Sequence, residues 1–209
     1  MTQDVPKKPP LSLLRSFVLA DLVTLGNAAC GTGAIFLCMS YLASGEEWAI
    51  RMAFALLPLA LFLDVADGSI ARWRRQQSPL GADLDSLADV VSFGVAPAVV
   101  GFALGLRHLL DSFVLVYFVC CGISRLARFN VTAAALSDGT GKVKYYEGTP
   151  IPTSLVLVAL LGWFHAKGWV GPALPFGRVT IAGLFFHPIS LVYAVSGSLM
   201  ASTLRIPKP

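Results

Sequence analysis

Four aspartates carry the chemistry this chain can do. Asp64 and Asp67 are three residues apart, and Asp85 and Asp89 are four apart. On a helix each pair shares one face. The thirteen residues 72–84 between the pairs are enough to fold one helix back beside the other. Both pairs fall at the ends of strongly apolar runs, where a buried aspartate costs roughly 2.5–3.5 kcal/mol at the bilayer centre and repulsion adds to it. Divalent cations are the simplest offset. A set of hard carboxylate oxygens selects magnesium, manganese or calcium over zinc. Two ions sharing carboxylates can clamp a phosphate or diphosphate during displacement. The plainer reading makes these aspartates caps and loop residues near a membrane surface, which serves for one of them and poorly for two helical pairs. Asp83 lies about 200° around the helix from Asp85 and reads as a solvated or capping residue.

The elements that must position these groups are apolar helices. The 209 residues are 56% hydrophobic and 13% charged, with a mean hydropathy of +0.70. Ordinary soluble domains carry about 25% charged residues, so a polytopic membrane protein is the expected class. Six spans are predicted, at about 18–43, 49–72, 86–106, 110–130, 152–167 and 179–203, with the fifth short for a bilayer that needs roughly 20 residues. A lead-in helix over residues 9–17 reads as an amphipathic surface segment. The fold expected is an all-α membrane bundle, a single domain over 1–209 with a polar tail at 1–10. That tail lacks the features of a cleavable signal peptide. With the N-terminus inside, twelve lysines and arginines (7, 8, 15, 72, 74, 75, 125, 128, 142, 144, 205, 208) fall inside and four (51, 107, 167, 178) outside. That excess predicts both termini in the cytoplasm. No internal repeat of the kind transporters carry is evident. Cys30, Cys38, Cys120 and Cys121 lie in apolar runs without metal-ligand spacing and read as small core residues. Trp48, Trp163 and Trp169 read as interface anchors at the outer boundary, and Gly94 with Pro97 as a site of close packing or bending. His108, His165 and His187 lie away from the aspartates.

The pattern Asp64-x-x-Asp67-Gly68-x-x-Ala71-Arg72, eight residues, Gly81-x-x-x-Asp85-x-x-x-Asp89 resembles the signature of the CDP-alcohol phosphotransferases at every fixed position. The resemblance implies that Asp64, Asp67 and Asp85 ligate metal, and that Asp89 helps bind a second ion and acts as general base toward the acceptor alcohol. It implies two ions, magnesium or manganese. Gly68 and Ala71 would let a nucleotide approach the helix, Arg72 would contact phosphate, and Ser78 and Gly81 would lie on the CDP-lipid. Thr24 and Asn27 match residues that line the nucleotide side of the family's pocket; the alternative for both is a helix–helix hydrogen bond. A homodimer is also implied. Independently, a direct displacement at the lipid-linked phosphorus needs no protein nucleophile, and a carboxylate near the acceptor hydroxyl helps a poor nucleophile.

Three further segments, DSLADVVSFGVAPA (85–98), RLARFN (125–130) and EGTPIP (147–152), resemble the integral-membrane phosphatidylserine synthases within that family. CDP-diacylglycerol and serine are therefore the expected substrates, with membrane lipids as surroundings and no nucleic acid. Glu147 and Thr149 depart from the pattern, which leaves inositol phosphate, glycerol phosphate, choline or an ether-lipid donor as alternatives. Arg125 and Arg128 are candidates for the serine carboxylate or a lipid phosphate; the alternative is anchoring to anionic headgroups. A different class, an intramembrane cation transporter, would use the aspartates as an ion site. All four cluster at one membrane face instead of along a path, and Gly68, Ala71 and Arg72 would have no role in it. A non-catalytic membrane scaffold would leave the carboxylates unexplained.

Overall fold

A computed structural model describes residues 19–74, 81–137, 145–181 and 183–207, with side chains for 19–70, 73, 81–132, 148–180 and 183–204. An apolar chain in lipid must satisfy its backbone internally, which leaves helices as the economical solution, and the protein is mostly helical. Four helices are long and apolar enough to cross a membrane. They are α1 (Leu19–Ser44), α2 (Glu47–Arg74), α3 (Gly81–Ala103) and α4 (Leu109–Ser137). Two shorter apolar helices follow, α5 (Ile151–Ala166) and α6 (Pro188–Ala201). At about 1.5 Å per residue they measure roughly 24 and 21 Å, short of a core of about 30 Å.

The expected sixth span differs in its first third. Val179–Ile181 (β2) and Leu184–Phe186 (β3) form an antiparallel hairpin, with Val179 opposite Phe186. Gly183 adopts the left-handed φ of 81° that the turn requires, and Pro188 then opens α6 at a position where its missing N–H costs nothing. The apolar run is continuous in sequence, but glycine and proline divide it. A second small ribbon qualifies the all-α expectation: Tyr145–Glu147 (β1) pairs with Arg205–Pro207 (β4). The lead-in segment 9–17 and the tail 1–10 lie outside the described residues.

Small residues let the helices approach. Gly26 and Gly33, two turns apart on α1, face Leu63 and Leu56 of α2. Gly31 lies against Ser92 of α3, and a methyl group there would overlap the Ser92 backbone. Helix α3 is the most enclosed of the four long helices, and it changes pitch. Residues Val90–Val95 form a π-helical turn, in which the Ala96 N–H bonds the Val91 carbonyl. Pro97 explains its place: proline offers no N–H to the carbonyl four residues back and its ring crowds that carbonyl, so a wider turn before it relieves both problems. The Tyr193 hydroxyl of α6, fully buried, donates to the Pro97 carbonyl at 2.7 Å. All four cysteines are free; Cys38 and Cys121 are core residues, whereas Cys120 is exposed, against the expectation for it. Trp48, Trp163 and Trp169 are exposed.

Candidate active site

Helix α2 carries Asp64 and Asp67 in its last turns, and α3 carries Asp85 and Asp89 in its first. Carboxylate oxygens of Asp64, Asp67 and Asp85 lie within 4.8 Å of one another. Asp89 meets the same group through the Asp64 carboxyl. The four side chains predicted from spacing alone therefore converge. Asp67 and Asp89 are buried, while Asp64 and Asp85 are half-buried. Asp83 is exposed, in keeping with its place on the other side of the helix. The three converging carboxylates offer hard oxygen donors of the kind a divalent cation takes. Asp64, Asp67 and Asp85 could thus hold a metal ion.

Helix α1 supplies the polar side of the site. The Thr24 hydroxyl donates to Asp67 Oδ2 at 2.6 Å, with the Ala20 carbonyl at 3.1 Å as its second neighbour. The Asn27 amide approaches Asp89 Oδ1 at 3.5 Å. On the other side, the Asn27 main-chain carbonyl accepts from the Ser92 hydroxyl at 2.9 Å. Asn27 is fully buried, and among the described residues its Oδ1 has no hydrogen-bond partner. A buried orphan acceptor is costly and marks a place where a donor belongs. The helix–helix bond and the ligand-facing role anticipated for Asn27 are thus compatible, since its nitrogen and oxygen are differently engaged.

One acidic residue escaped sequence reasoning. Asp21 is buried on α1 and lies near enough to Asp67 to act on its charge. Its spacing was the signal: 21, 24 and 27 recur every three residues and lie on one stripe of α1.

Gly68 is half-buried one residue beyond Asp67, and Gly81 opens α3. Ala71 and Arg72 belong to the last turn of α2, with side chains outside the described set, and Ser78 lies outside the described residues. Arg128 of α4 donates to the Ala201 carbonyl at 3.0 Å, which ties it to the end of α6. The Arg125 guanidinium sits over the Phe129 ring at 5.5 Å. A polar pair that spacing did not reveal links the helix of these arginines to the helix of Asp85. The Asn130 amide donates to the Ser86 hydroxyl at 3.0 Å, joining α4 to α3 one residue from Asp85.

A family model described as CDP-alcohol phosphatidyltransferase matches residues 17–195, from the start of α1 into α6. The chain belongs to that family. Among its relatives, a CDP-diacylglycerol–serine O-phosphatidyltransferase of Saccharomyces cerevisiae is 41% identical over 95% of this chain and 73% of its own length. One of the same name from Helicobacter pylori is 38% identical over 91% of this chain and 72% of its own. An archaetidylserine synthase of Methanothermobacter thermautotrophicus is 36% identical over 70% of this chain and 58% of its own. The family is one of membrane phosphatidyl transferases, and the four long apolar helices agree with a membrane protein. Its members' chemistry is that of a CDP-linked alcohol, and the match runs through every residue of the carboxylate cluster.

Proposed function

We propose that the protein transfers the phosphatidyl group of CDP-diacylglycerol to L-serine, giving phosphatidylserine and CMP. The observation that carries the reading is the approach of carboxylates from α2 and α3 to within 4.8 Å, inside a chain whose relatives at 41% and 38% identity are named for that reaction. In a single displacement the serine hydroxyl oxygen bonds to the lipid-linked phosphorus, and the bond from that phosphorus to the CMP oxygen breaks. The hydroxyl proton passes to Asp89, the buried carboxylate at the α1 side of the site. Asp64, Asp67 and Asp85 would hold a divalent ion, with Asp89 contributing to a second. Magnesium or manganese there would neutralise charge on the diphosphate and on the departing CMP. Thr24 fixes the rotamer of Asp67 by its 2.6 Å bond. Asn27 offers its unfilled Oδ1 to a donor on the nucleotide. Gly68, Ala71 and Gly81 keep the helix surface low where that nucleotide lies, and Arg72 and Ser78 contact the CDP-lipid. Arg125 or Arg128 takes the serine carboxylate or a lipid phosphate, close to the Ser86–Asn130 pair.

The placement of cations supports both termini and the site on the cytoplasmic side, with α5 and α6 completing six crossings where the bilayer thins around them. The archaetidylserine synthase relative supports a second reading of the donor, in which the lipid tail is that protein's type. The test is CMP release by the purified protein with CDP-diacylglycerol and magnesium or manganese. Serine should drive release, whereas inositol phosphate, glycerol phosphate and choline should not. A higher rate with a CDP-linked ether lipid would assign the second donor. Release with another acceptor and none with serine would overturn the reading.

A further inference from the structure

A second polar centre lies at the other end of the bundle. Thr24 marks the carboxylate end of α1 and Tyr41 the far end, seventeen residues or roughly 26 Å away at about 1.5 Å each. Tyr41 lines a cavity of ≈ 410 Å³ with Leu104, Arg107, His108, Arg178 and His187. Its wall is built by a close crossing of two glycines: the Gly171 N–H bonds the Leu104 carbonyl at 2.7 Å, and Gly105, at a φ of 131°, touches the Gly171 backbone. Beneath it, Asp111 of α4 is fully buried. Asp111 accepts from the His187 main-chain N–H at 2.9 Å and the His108 N–H at 3.3 Å, and pairs with His187 Nδ1 at 2.7 Å. Three nitrogens converge on this carboxyl group beneath the cavity. His187, only 2% exposed, has its ring held in place by the Nδ1 contact with Asp111. The His108 ring stacks on it at 5.2 Å.

Two guanidiniums face this space. Arg107 closes the end of α3 by donating to the Phe102 and Ala103 carbonyls at 3.0 and 2.6 Å, through Nε and Nη2. That leaves its Nη1 edge for another acceptor. Arg178 lies over the Phe185 ring of β3 at 5.4 Å. Among the described residues, no ion pair neutralises either one. The remaining wall is apolar, from Leu104, Val170 and Pro172. Two guanidiniums, Arg107 held by its helix-end bonds and Arg178 over Phe185, suit phosphate oxygens, the lining residues Tyr41 and His187 suit a polar headgroup, and the apolar wall suits the start of an acyl chain. The ≈ 410 Å³ of the cavity is more room than a bare phosphate ion needs. Exposed Trp163 and Trp169 at the same end put it at headgroup level.

We infer that this cavity binds the phosphate headgroup of an anionic membrane lipid, at a site separate from the carboxylate centre. The occupant is a phospholipid from the bilayer; a soluble phosphate ester shares the chemistry and is distinguished by the test. Full-length protein in neutral detergent is titrated with phosphatidylglycerol or phosphatidylcholine, and retained lipid is counted by native mass spectrometry with saturating CMP present to occupy the carboxylate centre. One phosphatidylglycerol per chain should remain, in preference to phosphatidylcholine. Arg178→Gln should weaken its retention by about tenfold, the loss of one charged hydrogen bond, without changing CMP release or the melting temperature of lipid-free protein. Arg107→Gln should do the same, and Arg178→Gln stands alone should loss of the helix-end bonds unfold that variant. Competition by millimolar glycerol phosphate would keep the phosphate site and assign its occupant to the aqueous phase. Equal retention by wild type and Arg178→Gln, or displacement of the lipid by CMP, would overturn the inference.

Discussion

Thr24→Val tests whether α1 takes part in metal binding or merely packs. Valine keeps the shape of threonine and removes the hydroxyl that donates to Asp67 Oδ2 at 2.6 Å. Both residues are buried, at 5% and 6% exposure, so water cannot readily replace the donor. A hydrogen bond to a charged group contributes about 1.5–3 kcal/mol, which at about 1.4 kcal/mol per decade is roughly 10- to 100-fold in an equilibrium constant. Residues that orient a metal ligand change metal affinity by a similar factor, about 10- to 100-fold. The assay is serine-dependent CMP release measured against magnesium or manganese concentration. The half-saturating metal concentration should rise by that factor, while the rate at saturating metal recovers most of its wild-type value. Thr24→Ser keeps the donor and loses only a methyl group, and should stay within about threefold of wild type on the same reasoning. A half-saturation unchanged in a folded Thr24→Val protein would refute it, because Asp67 would then not depend on Thr24 for its role. Equal damage by serine and valine would point to packing instead.

Two further outcomes follow from the same geometry. Asp89→Asn should lower CMP release by about 10²–10⁴-fold, the usual contribution of a general base, while CDP-diacylglycerol binding measured by equilibrium dialysis is largely kept; a rate within about tenfold of wild type would remove Asp89 from that role. Gly31→Ala should destabilise the protein by about 1–3 kcal/mol through overpacking, because its new carbon meets not only Ser92 Oγ but also the Ser92 Cα of α3, which no side-chain rotation moves away; an unchanged melting temperature would show that α1 and α3 can separate freely.

What the sequence made legible was periodic. The aspartate pairs were readable because three- and four-residue spacing fixes a helix face, and because α2 and α3 are neighbours in the chain. The segments at 19–44, 47–70 and 109–132 were readable from length and hydropathy. What stayed hidden depended on partners distant in sequence. Nothing local tells that Asp111 and His187 are paired 76 residues apart, or that Asn130 reaches Ser86 across 44. Asp111 reads as a residue at the outer edge of a span and His187 as one inside a span, and only the β2–β3 hairpin brings them together. That hairpin was itself masked, because Val179–Phe186 is as apolar as the helix that follows, and an apolar run does not report its backbone. The π turn had a cue in Pro97, but proline announces only that a helix must adjust, not whether it bends or widens. Cys120 shows the converse: an apolar neighbourhood in sequence does not distinguish the bundle interior from the lipid face.

The carboxylates belong to α2 and α3, yet α1 holds them in register. Thr24 engages Asp67 on α2, and three residues later Asn27 engages Asp89 on α3 by its side chain and Ser92 by its backbone. Those contacts require α1 to lie close to both partners at once. Gly26 and Gly33 admit α2, while Gly31, on a different side of the same turns, admits α3. Like charges would otherwise drive the two acidic helices apart, and the rotation of each about its axis must be set by what it packs on. The docking of each on the glycine faces of α1 does set it, aiming both aspartate pairs into one space. The polar stripe 21–24–27 and the glycine positions are therefore two parts of one requirement. A substitution that thickens α1 should disturb the carboxylate geometry as directly as a change to a neighbour of the aspartates themselves, although it adds and removes no charge.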